Sequence, residues 1–178
     1  MALRRASAYS KRHVTPFTRT SKVRSKSYIK TVPVSKVTKY RMGDLVGYKN
    51  GKYKIILEVN SKEKVQIRDN AIEAVRQFLN RFLTEKVGKE FYFEFKPYPH
   101  NLLRENKMLT GAGADRMQTG MALSFGKTMG RSAIIKPGQT LLLIGVKNEK
   151  NEAVARKLIH SVKSRLPCSI TINTIKTK

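Results

Sequence analysis

Apolar residues along this chain recur first every second position and then every third or fourth, and each change of period marks an element. From Lys52 to Val59, Tyr53, Ile55, Leu57 and Val59 fall on one side, Lys54 and Glu58 on the other. That alternation predicts a half-buried strand after the turn signal Asn50-Gly51. Ala71, Ile72, Val75, Phe78, Leu79, Phe82 and Leu83 then follow a helical period, which predicts a helix within 65–87 that Gly88 stops. Its other face carries Arg76, Gln77, Asn80 and Arg81. Period two returns at 90–96, with Phe91, Phe93 and Phe95 opposite Glu90, Tyr92, Glu94 and Lys96. Rings in such a row can stack RNA bases. The helix with a matching Phe-rich face just before them favours core instead. Pro97 and Pro99 end this strand.

No period holds from His100 to about Gly120. Residues 122–136 mix short apolar pieces with Gly126 and Gly130, and Pro137-Gly138 signals a turn. Residues 140–146 read as a strand buried on both faces. A second helix is expected over 149–166, with Asn148 as N-cap and Glu149 and Glu152 in its first turn. Val154, Leu158, Ile159 and Val162 form its apolar stripe; Lys163 and Arg165 suit its C-terminus, and Pro167 closes it. Cys168, Ile170 and Ile172 share one side of a last strand, with Cys168 as a small core residue. This order implies an α+β fold: a two-layer sandwich of a mainly antiparallel sheet and two amphipathic helices. One domain is expected over 44–178, with a glycine-containing loop inserted at about 101–120.

Charge changes this picture. The chain holds 37 Lys and Arg against 12 Asp and Glu, a net charge of +25. A polyanion is the natural neutraliser, because cations on phosphates release condensed counterions. An anionic membrane surface is the weaker alternative, since no basic amphipathic helix or lipidation signal is evident. Twelve of the cations and no acid precede Asp44. Residues 1–43 therefore read as a basic extension that is ordered on RNA. Arg4, Arg5, Lys11, Arg12, Arg19, Lys22, Arg24 and Lys26 are its candidate phosphate contacts. A solvated tail and an organellar transit peptide are its rival readings; Pro16 argues against the long amphipathic helix of the latter. A single cysteine allows no internal disulfide and fits a reducing compartment. The longest strongly apolar stretch, 141–146, is far short of a membrane span.

Catalytic chemistry finds little support. Gly126-Lys127-Thr128 resembles the end of a phosphate-binding P-loop, but the glycine five positions earlier is replaced by Met121. His13, His100 and His160 lack ligand-spaced partners, so no metal and no cofactor are expected. The strongest functional candidate is the aperiodic stretch 101–120, because so long a loop in a compact domain is usually functional or disordered. Gly111, Gly113 and Gly120 permit close backbone approach. Arg104, Lys107 and Arg116 offer phosphate contacts, while Met108, Leu109 and Met117 offer adaptable apolar surface. Arg76, Arg81, Lys127 and Arg131 complete the candidate RNA-binding set.

LRENKMLTGAGADRMQTGM at 103–121, LSFGKTMGRSAII at 123–135 and the PGQ after it resemble a large-subunit ribosomal protein family. It is called L-ten-e in archaea and eukaryotes, L-sixteen in bacteria and uL-sixteen universally. Weaker likeness runs through IRDNAIEAVRQ and LPCSITI, and the wording is closer to the archaeal members. Thr128 stands where the family often has proline, and the N-terminal stretch keeps only scattered likeness, near Tyr9 and at Phe17-Thr18-Arg19. The resemblance implies an α+β sandwich seated on large-subunit ribosomal RNA, and a structural protein of the cytoplasmic ribosome, not an enzyme. It also implies a loop near the tRNA acceptor arm and peptidyl transferase centre, carried by Lys107, Met108, Thr110, Gly111, Gly113, Asp115, Arg116, Gln118 and Gly120. Neighbouring ribosomal proteins and assembly factors are implied as partners, with no membrane and no homo-oligomer. Two other classes remain on the residues alone: a general nucleic-acid-coating protein that needs no glycine loop, and a phosphotransferase using Lys127 and Thr128.

Overall fold

The computed structural model describes residues 7–10, 23, 29, 31–105 and 127–176. Its elements are α1 (Ser7–Ser10), β1 (Arg41–Gly43), α2 (Leu45–Lys49), β2 (Ile55–Ser61), β3 (Val65–Arg68), α3 (Asp69–Val87), β4 (Phe91–Phe95), β5 (Asn101–Glu105), β6 (Lys127–Ile135), β7 (Thr140–Val146), α4 (Glu149–Val162) and β8 (Ile170–Lys176). The class is α+β, and every strand pairing among the described residues is antiparallel.

The strands form two sheets where one was expected. A five-stranded sheet runs β1-β4-β7-β2-β8, and a three-stranded sheet runs β3-β6-β5. Central β7 lies between β4 and β2, which explains its unbroken apolar run: Leu141 to Val146 are all buried. Ile55, Leu57, Val59 and Ser61 of β2 are buried in strict alternation. Against the sheets pack α3, through Ile72, Val75, Leu79 and Leu83, and α4, through Ala155, Leu158, Ile159 and Val162. One apolar core joins both sheets and both helices, and Cys168 lies within it. Burial raises the Cys168 thiol above its ordinary value.

Several boundaries shift for physical reasons. Val65 to Arg68 were expected to fall within the helix, but they form a strand. Val65 and Ile67 are buried and pair with Ile135 and Ala133, so sheet pairing overrides helix propensity there. Residues 101–105, read as the start of a loop, are instead strand β5. The second helix ends at Val162 and tightens into a 3₁₀ turn over Lys163–Arg165. Asn148 does sit at the N-cap of α4, yet its side chain makes no capping bond. In β4 both faces are buried. The far side of Tyr92 is covered by Tyr48 of α2, the two rings lying 3.9 Å apart and within 11° of parallel.

The folded body also begins before Asp44. Val37 and Met42 are core residues, and Arg41 to Gly43 pair with Glu94 to Tyr92. Here the chain must turn without a side chain. Gly43 has φ +85°, and a Cβ would lie 2.1 Å from the Phe91 carbonyl oxygen. Arg41 is drawn in by Glu94, which is buried, and accepts bonds from Arg41 Nε (2.9 Å) and Tyr92 Oη (2.8 Å). Lys96 Nζ adds an ion pair at 2.8 Å. Burial alone pushes the Glu94 carboxyl up, but Lys96, Arg41 and Tyr92 together hold it below its ordinary value.

Candidate nucleic-acid interface

The aperiodic stretch is carried on an antiparallel hairpin. β5 and β6 pair from Asn101↔Ser132 to Glu105↔Lys127, with an irregularity between Leu103 and Arg104. The stretch between Glu105 and Lys127 therefore leaves and re-enters the body at neighbouring positions. Lys107, Met108, Thr110, Gly111, Gly113, Asp115, Arg116, Gln118 and Gly120 lie outside the described residues. So do Arg4, Arg5, Lys11, Arg12, Arg19, Lys22, Arg24 and Lys26.

What the structure does describe is the base on which that stretch is mounted. Gln66 of β3, Ser132 of β6 and Asn101 of β5 share one face of the small sheet, and all are buried. Ser132 Oγ donates to Gln66 Oε1 at 3.1 Å. Asn101 Nδ2 approaches Gln66 Oε1 at 3.2 Å and Ser132 Oγ at 3.3 Å. Gln66 Nε2 donates in turn to the Tyr9 carbonyl of α1. Tyr9 is buried on this face, and the Arg68 guanidinium lies 5.5 Å from its ring centroid. A buried polar ladder of this kind fixes strand register, because a slip would strand its donors and acceptors away from water.

Residues 31–38 fasten the same base from another direction. Thr128 Oγ1 donates to the Thr31 carbonyl at 3.0 Å, and Arg131 Nε donates to the Pro33 carbonyl at 2.7 Å. The Lys36 amide donates to Asp69 Oδ2 at 3.1 Å. Asp69 is buried in the first turn of α3, where a carboxylate suits the helix dipole. Thr128 thus has a structural partner and lies in a strand. A P-loop would place it at the start of a helix, so the phosphotransferase reading loses its geometric basis.

The candidate cations separate by burial. Arg81 and Lys127 are exposed. Arg76 is only 14% exposed, and both its Nε and Nη2 donate to Glu73, at 2.8 and 2.5 Å. The bond from Arg76 holds the Glu73 carboxyl below its ordinary value, and Glu73 raises Arg76 in return. Arg104 is buried, and Arg131 is half-buried on the 31–34 segment. The geometry therefore leaves Arg81 and Lys127 facing solvent and turns Arg76, Arg104 and Arg131 toward the protein.

Sequence reading missed Gln66, Ser132 and Asn101. Their only signal was a polar residue between Val65 and Ile67, since nothing in the sequence ties it to partners 35 and 66 residues away. Among the described residues, no group of three or more His, Cys, Asp and Glu is placed to hold a metal ion, and no helix is long and apolar enough to cross a membrane.

The family model described as ribosomal protein L16p/L10e matches residues 13–173. The chain belongs to that family. Large ribosomal subunit protein uL16 of Hyperthermus butylicus is 39% identical over 174 residues, covering 97% of this chain and 93% of that protein. The uL16 of Methanococcus maripaludis is 38% identical over 179 residues, covering 100% and 97%. That of Staphylothermus marinus is 39% identical over 168 residues, covering 94% and 90%. The L16p/L10e match takes in both hairpin arms, Gln66, Ser132, Asn101 and both long helices. Tyr9 lies before it.

Proposed function

We infer that this L16p/L10e member is a structural constituent of the large ribosomal subunit in the cytoplasm. It binds large-subunit ribosomal RNA and extends the segment 107–120 toward the tRNA acceptor arm and peptidyl transferase centre. In this role it supports tRNA positioning and late subunit assembly, among neighbouring ribosomal proteins and assembly factors. The observation that carries this reading is the family match over 13–173 in a chain with net charge +25. Mounting the segment on a locked hairpin supports it, because a positioning role needs a rigid base. The contribution to peptide transfer is placement and not acid–base chemistry. Exposed Arg81 and Lys127, together with the cations that the sequence places in residues 1–30, meet phosphates and read RNA shape more than base sequence.

The test has two parts. The chain should co-sediment with large subunits after a high-salt wash. Subunits carrying a chain that lacks 107–120 should show impaired tRNA accommodation or maturation, while the sandwich still folds. Normal translation by those subunits would refute the role of the segment, and absence of the chain from washed subunits would refute the assignment to the ribosome.

A further inference from the structure

The link from β4 to β5 is Pro97-Tyr98-Pro99-His100, and its burial alternates. Both prolines are buried; Tyr98 and His100 are exposed. Proline fixes its own φ, and the His100 amide donates to the Tyr98 carbonyl at 3.0 Å. Two aromatic side chains are thus held outward on a backbone with little remaining freedom. They are also held against one another. Tyr98 stacks on Tyr40 with ring centroids 4.9 Å apart and planes 28° apart. It meets the His100 ring at 4.6 Å and 39°. Even so, Tyr98 remains 45% exposed.

The contrast with the phenylalanine row is informative. Phe91, Phe93 and Phe95 had the right spacing for a stacking surface, but all three are buried in the core and cannot meet a ligand. The accessible rings are those just beyond them. Lysines flank them in the chain. Exposed Lys36 and Lys39 precede Tyr40, and exposed Lys96 precedes Pro97 while pairing with Glu94; at Tyr40 itself the charges of Asp69 and Arg131 oppose each other.

We propose that Tyr98 and His100, backed by Tyr40, form a stacking platform for an unpaired nucleobase of RNA. This rests on the reading of the chain as an RNA-binding protein, and adds contact with a base to contacts with phosphates. Every base has a π face, so such a platform takes any unpaired base presented to it, and the flanking lysines hold the adjoining backbone. Rings already fixed by stacking and by the prolines lose little freedom on binding, which favours the complex.

The chain contains no tryptophan, so Tyr98→Trp places a single indole in the platform. Full-length protein is titrated at one salt concentration with an oligoadenylate RNA and with an abasic oligomer of equal length and charge. Oligoadenylate should quench the indole, and the abasic oligomer should not. With the other tyrosines intact, Tyr98→Ala should weaken oligoadenylate binding on the order of tenfold. The slope of affinity against salt should stay unchanged, because no phosphate contact is lost. Tyr98→Leu, which retains apolar bulk over Tyr40, and His100→Ala should weaken it in the same base-dependent way. Equal quenching by both oligomers, or variants that bind both oligomers like wild type, would overturn the platform while leaving RNA binding in place. Failure of the wild-type chain to bind either oligomer would overturn both.

Discussion

Gln66 Nε2 donates to the carbonyl of Tyr9 at 2.5 Å, joining residues 57 positions apart in the chain. Through Gln66 Oε1 the same side chain also serves Ser132 and Asn101. One amide therefore connects α1 to both arms of the hairpin that carries 106–126. Gln66→Leu keeps the size of the side chain and removes every one of these bonds. It should cost about 1–3 kcal/mol, since buried polar partners are left unsatisfied. Urea unfolding measures this loss, and an unchanged midpoint would show that the ladder contributes nothing.

Gly43 and Gly51 offer a controlled comparison. Both have positive φ, +85° and +71°, but a Cβ meets the Phe91 carbonyl only at Gly43; at Gly51 nothing lies within 4 Å. Gly51→Ala should show the dihedral cost alone, roughly 1 kcal/mol. Gly43→Ala should cost clearly more, because β1 must also separate from β4. Thermal melting of the two variants would test this order.

Acid should loosen the β1–β4 edge through Glu94. Its carboxyl is held below the ordinary value of 4.5 in the folded chain. The stabilisation it provides is therefore present above pH 4.5 and is lost as the pH falls through the lower, folded-state value. Glu94→Gln should be less stable than wild type at neutral pH and show a shallower decline below pH 4.5. Denaturant midpoints measured across that range would reveal a parallel decline if Glu94 were not responsible.

Arg76 and Arg81 share the polar side of α3 but differ in what they touch. Arg81→Gln should lower the salt slope of RNA binding by about one, as expected for one lost phosphate contact, with little change in stability. Arg76→Gln should leave that slope unchanged and lower stability, because Glu73 loses its partner. The reverse pattern would mean that Arg76, despite its burial, is the residue that reaches phosphate.

The fold was readable wherever one face of an element is buried and the other is wet. Ile55, Leu57 and Val59 marked β2, Ile72 to Leu83 marked α3, and the stripe on α4 marked the second long helix. Those patterns record burial by apolar residues, including the two-sided burial of β7, so they fail where the covered residues are polar or amphipathic. Tyr92 looked solvent-facing because its cover, Tyr48 of α2, comes from a five-residue helix too short to show a period, and Glu94 looked so because its bonds to Arg41, Tyr92 and Lys96 do not show in the alternation. Arg76 looked available because a sequence shows its face of the helix but not its bond to Glu73. The division of the strands between two sheets depends on the pairings of β3 with β6 and of β6 with β5, which leave no trace in local periodicity. At the candidate interface, composition and the 103–135 motifs located the stretch and its family. The Gln66–Ser132–Asn101 base came only from three-dimensional neighbours.

The Glu105↔Lys127 pairing has a consequence for engineering. Because the hairpin arms are registered beneath that pair, Glu105 and Lys127 are natural junctions for exchanging the sequence between them. Doubling its length would add only about 0.6 kcal/mol of closure entropy. Foreign sequences, tags or a neighbouring member's version could be grafted between these two residues, while the surrounding scaffold keeps its stability and serves as an internal standard.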